Sequence, residues 1–292
     1  MSGVNMLAHL ILERLSVQVL PRVPETGLVM EDLAQNEAFT LAGREGGILA
    51  FVYLYQALQI IPLVRRGDRV LDLGCGPANQ LVQIARINPG VNFIGLDASA
   101  EMLDRASETI HRSGVTNIDL ASGDMTELAQ FSDATFDCVI STMSLHHLPD
   151  ISALSNTMSM ARRVLKPGGG WYFVDFGRFK RSATQRFFAE DRRDCQPENF
   201  TRDYFNSLRA AFSVDELSQA VKVFGSGVTC YTTALAPFMV ILKSGERRKP
   251  DATTCQAARN MYRQMSASQQ KDFRLYAHWL RAGGLNLPFS LD

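Results

Sequence analysis

The chain of 292 residues lacks an excess of charge of either sign: Lys and Arg total 30, Asp and Glu total 30, and the formal net charge is zero. A nucleic-acid binder usually carries a basic excess, so RNA or DNA is not the expected partner unless a local patch supplies one. The five cysteines, Cys75, Cys138, Cys195, Cys230 and Cys255, are scattered, odd in number and without a Cys-x-x-Cys pair. That pattern offers neither a zinc site nor a redox dithiol, and a reduced, cytoplasmic protein with no resident metal is expected. A secretory leader is not expected either, because Glu13 and Arg14 interrupt the first apolar stretch. No internal repeat and no low-complexity run is present. The one long charge-free stretch, Gly46 to Val64, contains Gln56, Gln59 and Pro62. It reads as a buried or cofactor-covering helix, not as a membrane span, which needs about 20 apolar residues.

What is there suffices for a large core, since 46% of the residues are hydrophobic and only 21% charged. Leu7, Leu10, Ile11 and Leu15 follow helical spacing, Pro21 to Pro24 break it, and further helix is expected up to Pro62. From about residue 67 strand and helix alternate. Strands are expected at Val70–Leu73, Asn92–Leu96, Ile118–Ala121, Phe136–Ile140 and Gly170–Phe176, with helices at Gln80–Ile87, Glu101–Ser113 and Ser152–Val164. Repeated β-α-β units with short connections imply a parallel sheet covered on both faces. A charged and aromatic insert at 178–212 interrupts the rhythm, which resumes with a helix at Asp215–Phe224 and strands at Val228–Leu235 and Phe238–Lys243. Only Ala236 and Pro237 join those last two, too few for a crossover, so they must pair antiparallel. The expected fold is therefore α/β, a doubly wound, mostly parallel, Rossmann-like sheet of seven strands with an antiparallel last strand. Three parts follow: a helical lid or interaction region at 1–66, a cofactor-binding domain at 67–244 with its cap insert, and a helical extension at 245–292.

The strand Val70-Leu71-Asp72-Leu73 runs into Gly74-Cys75-Gly76-Pro77-Ala78 and then a helix. Gly74 and Gly76 lack Cβ atoms where a ligand must approach the backbone closely. Asp97 ends the next strand at the place where a nucleotide-binding fold puts an acid for ribose hydroxyls. Three details speak against a dinucleotide. Position 79 is Asn where a pyrophosphate turn wants a small residue, Asp72 would repel a pyrophosphate but attract a sulfonium or ammonium, and an antiparallel strand pair closes the sheet.

On these residues the chain resembles the class I S-adenosylmethionine-dependent methyltransferases, in particular their small-molecule branch of the ubiquinone and menaquinone biosynthesis type. Asp72 to Ala78 resembles the family's first motif, and Asp97 with Ala98 to Leu103, which includes Met102, resembles the ribose-binding stretch. Gly123-Asp124-Met125 resembles the adenine-binding element, Phe136 to Ser141 the fourth strand, Leu145-His146-His147-Leu148 the element after it, and Leu165 to Gly170 the turn before strand five. The likeness covers residues 67–177 and the strand pair 228–243. Ala78 departs from it, standing where a third glycine is common, and no Asn/Asp-Pro-Pro-Tyr element follows Ile140. The resemblance implies S-adenosylmethionine as cofactor, S-adenosylhomocysteine as product, and Asp72, Gly74, Gly76, Asp97, Ala98, Met102, Asp124, Met125 and Ser141 as cofactor-binding residues. The expected activity is in-line methyl transfer to a small-molecule acceptor, oxygen or carbon being favoured. The alternatives are an RNA or protein methyltransferase, a sulfonium-using enzyme of another kind, and a non-catalytic scaffold.

Several of these residues have plainer readings. Asp97 could cap the following helix, Asp124 could be a turn residue facing solvent, and Met125 could fill the core. His146 is a candidate base because a histidine titrates near neutrality, although a place in the cofactor's surroundings is favoured for both His146 and His147. Tyr53, Tyr55, His146 and Asp175 are candidates for the acceptor pocket. Between Arg178 and Arg193 six basic side chains alternate with Phe179, Phe187 and Phe188. That strip reads as an anion-binding cap, as an RNA-binding surface, or as a solvated helix face with its own salt bridges, the last being favoured. Phe273, Tyr276, Ala277 and Leu280 make a helical stripe that packs on the domain or on the second subunit of a homodimer.

Overall fold

The computed structural model describes residues 3–17, 19–25, 43, 46–191, 198–225 and 227–291. Arg192, Arg193, Cys195 and the part of the expected N-terminal helix within 26–42 lie outside them. The seven strands are β1 (Arg69–Leu73), β2 (Asn92–Asp97), β3 (Ile118–Ser122), β4 (Phe136–Thr142), β5 (Leu165–Phe176), β6 (Thr229–Thr232) and β7 (Met239–Lys243). They form one sheet in the order β3-β2-β1-β4-β5-β7-β6. The first five run parallel, and β7 lies antiparallel to both β5 and β6. The strand order reverses between β1 and β4, so their carboxyl ends open the crevice in which such sheets bind ligands.

Both faces of this sheet are buried, and the period of two sorts its residues between two cores. Val70, Phe93, Cys138, Ile140, Tyr172, Val174 and Ile241 belong to one core, Leu71, Ile94, Val139, Phe173, Val240 and Leu242 to the other. The first core is covered by α2 (Ala50–Ile60), α3 (Asn79–Ile87) and α10 (Ala267–Ala282), with α9 (Ala252–Gln264) beside them. The second is covered by α5 (Ile151–Val164) and α8 (Val214–Ala220). The remaining helices are α1 (Gly3–Leu15), α4 (Ala100–Ser113), α6 (Ser182–Glu190) and α7 (Glu198–Ala210). Their ends follow local chemistry. Ser99 and Asp150 cap α4 and α5 by accepting from Met102 N and Ala153 N, and Ser213 with Glu216 makes a capping box on α8.

The charge-free stretch forms the buried helix α2, eleven residues long. At 1.5 Å per residue it spans roughly 17 Å, about half a bilayer core. Among the described residues no helix is long and apolar enough to cross a membrane. The stripe on α10 packs within the chain, Tyr55 lying edge-on to Tyr276 at 5.1 Å and Gln56 Nε2 donating to the Tyr276 hydroxyl at 3.1 Å. Phe273, Tyr276 and Leu280 are consequently buried without a second subunit.

Two details differ from expectation. The Pro-Gly-Gly segment is not a turn ahead of β5 but an irregularity inside it: Phe136 pairs with Leu165 and Cys138 with Gly170, so residues 166–169 bulge out. Lys166 Nζ there binds the Asp137 carboxylate at 2.8 Å. The β6–β7 connection also runs from 233 to 238, longer than two residues. Thr233 stabilises it by donating to Ala236 O at 2.7 Å and accepting from Met239 N at 3.1 Å.

Candidate functional site

The site begins where β1 stops. The chain turns through Gly74 at φ +72° and Gly76 at φ +52°, and Ala78 enters α3 at φ +58°. Gly74 N and Cys75 N both donate to Leu96 O, at 2.8 and 3.0 Å, tying the turn to β2. Asp97, at the end of β2, closes the same crevice. Its Oδ2 accepts from Gly76 N at 2.8 Å and its Oδ1 from Ser99 N at 2.9 Å. Asp97 is therefore a brace between the turn and α4, and Ser99 is the cap of that helix. Burial raises the Asp97 carboxyl in spite of the backbone donors it meets.

Asp72 sits beneath this turn, 1% exposed, and its Oδ1 has no hydrogen-bond partner. Burial, with a contribution from Asp97, pushes its carboxyl up to about 8. The reason for Gly74 differs from the expected close approach of a ligand. A Cβ there would lie 2.6 Å from Ser144 Cβ, 2.7 Å from Ser144 Oγ and 3.0 Å from Met125 Cε. Packing of the chain on itself excludes a side chain at 74.

A cavity of about 740 Å³ opens from the turn, within the range of small-molecule sites. At one end it is lined by Gly74 to Pro77, Asp97 to Ser99 and Gly123 to Met125. Asp124 also holds its own turn, its Oδ1 accepting from Thr126 N at 2.7 Å. At the other end stands an aromatic wall. Phe188, Phe238 and Trp279 are mutually near-parallel, with interplanar angles of 18°, 8° and 11° and centroids 5.0 to 5.8 Å apart. Phe176, Tyr204 and Tyr276 join it, as do Met6, Leu7 and Leu10 of α1.

Between the two ends lies His146, 4% exposed and on the cavity wall. Its Nδ1 donates to Asp175 Oδ1 at 2.7 Å and its backbone N to Asp175 Oδ2 at 3.0 Å. Phe176 N also donates to Asp175 Oδ1, at 2.7 Å. Burial alone would lower the proton affinity of His146, but the charge and hydrogen bond of Asp175 outweigh it and the imidazole is raised above 6.5. With Nδ1 committed, Nε2 is the nitrogen left to take a proton.

Of the residues expected at the site, Gly74, Gly76, Asp97, Ala98, Asp124, Met125, Tyr53 and His146 line the cavity. Five do not. Asp72 lies under the turn, and Met102 is buried in the first turn of α4. Ser141 is fully buried behind Ser144, with their hydroxyls 2.7 Å apart. Tyr55 is wedged between α2 and α10, donating to Leu285 O at 3.4 Å, and Asp175 stands one layer behind His146. Sequence reasoning missed the aromatic wall, which comes from segments far apart in the chain, and Glu25, whose carboxylate accepts from His147 Nδ1 at 2.6 Å. In the basic strip, Arg178 is paired with Glu216 at 2.6 Å, and Arg186 with Glu190 at 3.9 Å. Arg186, 68% exposed on α6, fits the solvated-face reading; Arg178, only 9% exposed and placed between β5 and α6, does not.

The methyltransferase-domain family model matches residues 70–169. Over 118 residues the chain is 36% identical to a 27-O-demethylrifamycin SV methyltransferase of Amycolatopsis mediterranei, covering 40% of this chain and 41% of that one. Over 113 residues it is 35% identical to a demethylmenaquinone methyltransferase of Listeria welshimeri, covering 38% and 46%. The chain thus spans less than half the length of these curated relatives. Among solved structures, one described as a possible exported protein of Bordetella parapertussis aligns at TM-score 0.52 and 15% identity, over 67% of each chain. At that identity the likeness concerns the fold alone. A SAM-dependent methyltransferase of Aquifex aeolicus aligns at TM-score 0.49 and 17% identity, over 66% of this chain and 90% of its own.

Proposed function

We propose that the chain is a class I S-adenosylmethionine-dependent methyltransferase, as its match to the methyltransferase-domain model and to curated methyltransferases supports, and that it methylates an apolar, ring-bearing small molecule at oxygen or carbon. The observation that carries this reading is the single cavity running from the glycine turn and Asp97, past His146, to the wall of Phe188, Phe238 and Trp279.

The residues present fit the cofactor. Asp72 offers a buried carboxyl oxygen without a partner under the turn, and a cation bound nearby, such as the ammonium of an amino acid, would favour its ionised form. Asp97 has both oxygens at the crevice to accept from ribose hydroxyls, and Asp124 and Met125 would hold the adenine by hydrogen bonding and packing. When bound, S-adenosylmethionine supplies an electrophilic methyl group on a sulfonium. In-line displacement requires an acceptor fixed in one orientation and shielded from water, which an aromatic wall does for an apolar molecule packed against it. His146 takes the proton from an acceptor hydroxyl or acidic carbon at Nε2, and Asp175 holds the ring in the tautomer that leaves Nε2 bare. The described helices α1, α6 and α7 form the lid, since all three contribute to the cavity wall.

Calorimetry with S-adenosylhomocysteine tests the reading. Wild type should bind at one site, and Asp97→Ala should weaken binding by roughly tenfold or more, the worth of about 1.4 kcal/mol in charge-assisted hydrogen bonds. Failure of the wild type to bind would leave the fold as a scaffold and sink the proposal. Incubation with S-adenosylmethionine and a panel of phenols, naphthols and aliphatic alcohols, read as a gain of one methyl by mass spectrometry, then ranks acceptor classes.

A further inference from the structure

Residues 19–25, outside the region that matches the methyltransferase family, pack against the site and place Glu25 on the cavity wall. Arg22 makes four hydrogen bonds to carbonyls: Nε to Ala210 O at 2.6 Å, Nη1 to Pro149 O at 2.6 Å, and Nη2 to His146 O at 2.9 Å and Leu148 O at 2.5 Å. Its guanidinium also lies 3.9 Å over the Phe212 ring. Three of those carbonyls, of His146, Leu148 and Pro149, lie in and just after the 3₁₀ turn Leu145–His147, where helix-type backbone leaves acceptors unfilled. Only a planar guanidinium serves several carbonyls at fixed angles, and a lysine does not. The next residue, Val23, donates from its N to Arg209 O at 3.0 Å. Two residues on, Glu25 accepts from His147 Nδ1 at 2.6 Å and from the Ser207 hydroxyl at 2.9 Å. The segment therefore ties the end of α7 to the turn that bears His146 and His147.

We propose that residues 19–25 are a strap that builds the acceptor side of the site, with Arg22 as its latch and Glu25 as a positioning residue for the ring of His147. The role assigned to that site rests on the methyltransferase reading; the strap itself rests on the contacts above. The two imidazoles lie with ring centroids 4.3 Å apart, each with Nδ1 given to a carboxylate, Asp175 behind one and Glu25 behind the other. Both rings are thereby held with Nε2 as the open nitrogen. The charged groups facing His146 are Asp175 from β5 and Arg22 and Glu25 from the strap, with His147 beside it on its own turn. Arg22 lowers its proton affinity and Glu25 raises it, so the strap acts on the candidate base from both directions. Burial would push the Glu25 carboxyl up, but the hydrogen bond and charge of His147 prevail and lower it to about 2. Glu25, His146 and His147 also bring three metal-binding atoms within 4.8 Å of one another. The 2.6 Å contact between Glu25 and His147 has the length of a direct charge-assisted hydrogen bond.

The test uses the full chain uniformly labelled with ¹⁵N, comparing wild type with Arg22→Lys, Arg22→Ala, Glu25→Gln and Glu25→Ala. His147 should show one fixed tautomer, protonated at Nδ1, in wild type. Glu25→Gln should keep it through the amide oxygen, and Glu25→Ala should lose it to a mixture of tautomers. The His146 titration midpoint should fall in Glu25→Gln, which removes a negative charge without removing the hydrogen-bond acceptor. Amide exchange at Val23 should speed at least tenfold in Arg22→Ala and by less in Arg22→Lys. Unchanged exchange at Val23 in Arg22→Ala, or an unchanged His147 tautomer in Glu25→Ala, would overturn the strap. So would stoichiometric Zn²⁺ binding to wild type that Glu25→Ala abolishes, because Glu25 would then be a metal ligand. Calorimetry of wild type with S-adenosylhomocysteine is the separate control: its failure removes the methyltransferase reading and leaves the exchange and tautomer results standing.

Discussion

Gly74→Ala adds one methyl group at a place where the structure has no room for it. Gly74 sits at φ +72°, and holding an alanine in the left-handed region costs about 1–2 kcal/mol. The new Cβ would stand 2.6 Å from Ser144 Cβ, well inside the roughly 3.5–4 Å of carbon–carbon contact. Ser144 cannot swing aside, because its Cβ is fixed by its backbone and its hydroxyl is held by Leu73 O at 2.8 Å and Ser141 Oγ at 2.7 Å. Overpacking of this kind costs about 1–3 kcal/mol. A total of about 2–5 kcal/mol should lower Tm by roughly 5–15 °C, at a few degrees per kcal/mol for a chain of this size. The assay is thermal unfolding without ligand, since binding would add stability by mass action. Ser144→Gly in the same background removes the colliding atom and should recover the overpacking share but not the strain, giving a coupling of about 1–3 kcal/mol in the double-mutant cycle. A Gly74→Ala protein melting within a degree of wild type, or strictly additive effects in the cycle, would refute the packing of Ser144 against the turn.

Other perturbations have equally definite signs. Asp72, raised to about 8 in the fold against an unfolded value near ~3.9, keeps its proton in the native state over a range where the unfolded chain releases it. Its contribution is full below the unfolded value and lost as pH rises through the folded one, so Asp72→Asn should flatten part of the stability decline between about pH 4 and pH 8, as urea midpoints across that range will show. Asp175→Asn should lower kcat by roughly 10²–10⁴-fold for a hydroxyl acceptor. It should also shift the rise of kcat/KM with pH downward, because the partner that raises His146 is weakened. Arg247 pairs with the buried Asp68 at 2.5 Å and donates to Leu63 O at 2.9 Å. Arg247→Ala should therefore cost about 3 kcal/mol by stranding a carboxylate, and Asp68→Asn should recover part of that loss in urea unfolding.

How much of this was legible in the sequence depends on how far each feature reaches along the chain. The strands from β1 to β4 are short apolar runs ending at glycine, aspartate or serine, so their period and punctuation are local, and expectation and structure agree to within about two residues. The same holds for Asp97 and the glycine turn, which one βαβ unit brings together. The bulge at 166–169 was not legible, because a Pro-Gly-Gly run signals a turn and does not say whether pairing resumes before it. Tyr55 was misplaced for a related reason. On α2, Tyr53 and Tyr55 differ by two positions, about 200° around the helix, so only one of them faces the crevice. Nothing local marks Glu25, because its partners His147 and Ser207 lie more than a hundred residues away.

The two ends of the cavity should accordingly respond differently to substitution. The cofactor end is made of residues that the fold itself requires: Gly74 gives space to Ser144, and Asp97 braces the turn against α4. A change there is paid in stability as well as in binding. The acceptor end is a facing of side chains on helices already anchored by other residues. On α10, Phe273, Tyr276 and Leu280 hold the helix to the core, while Leu275, 53% exposed, and His278 face the cavity from another side. Leu275→Ala therefore removes cavity lining without opening a void in the core, and its cost should stay within about 0.5 kcal/mol, as for surface positions. Enlarging the chamber in this way should alter which acceptors are methylated while leaving Tm nearly unchanged. A fall in Tm comparable to that of Gly74→Ala would show that the wall, too, is part of what holds the fold together.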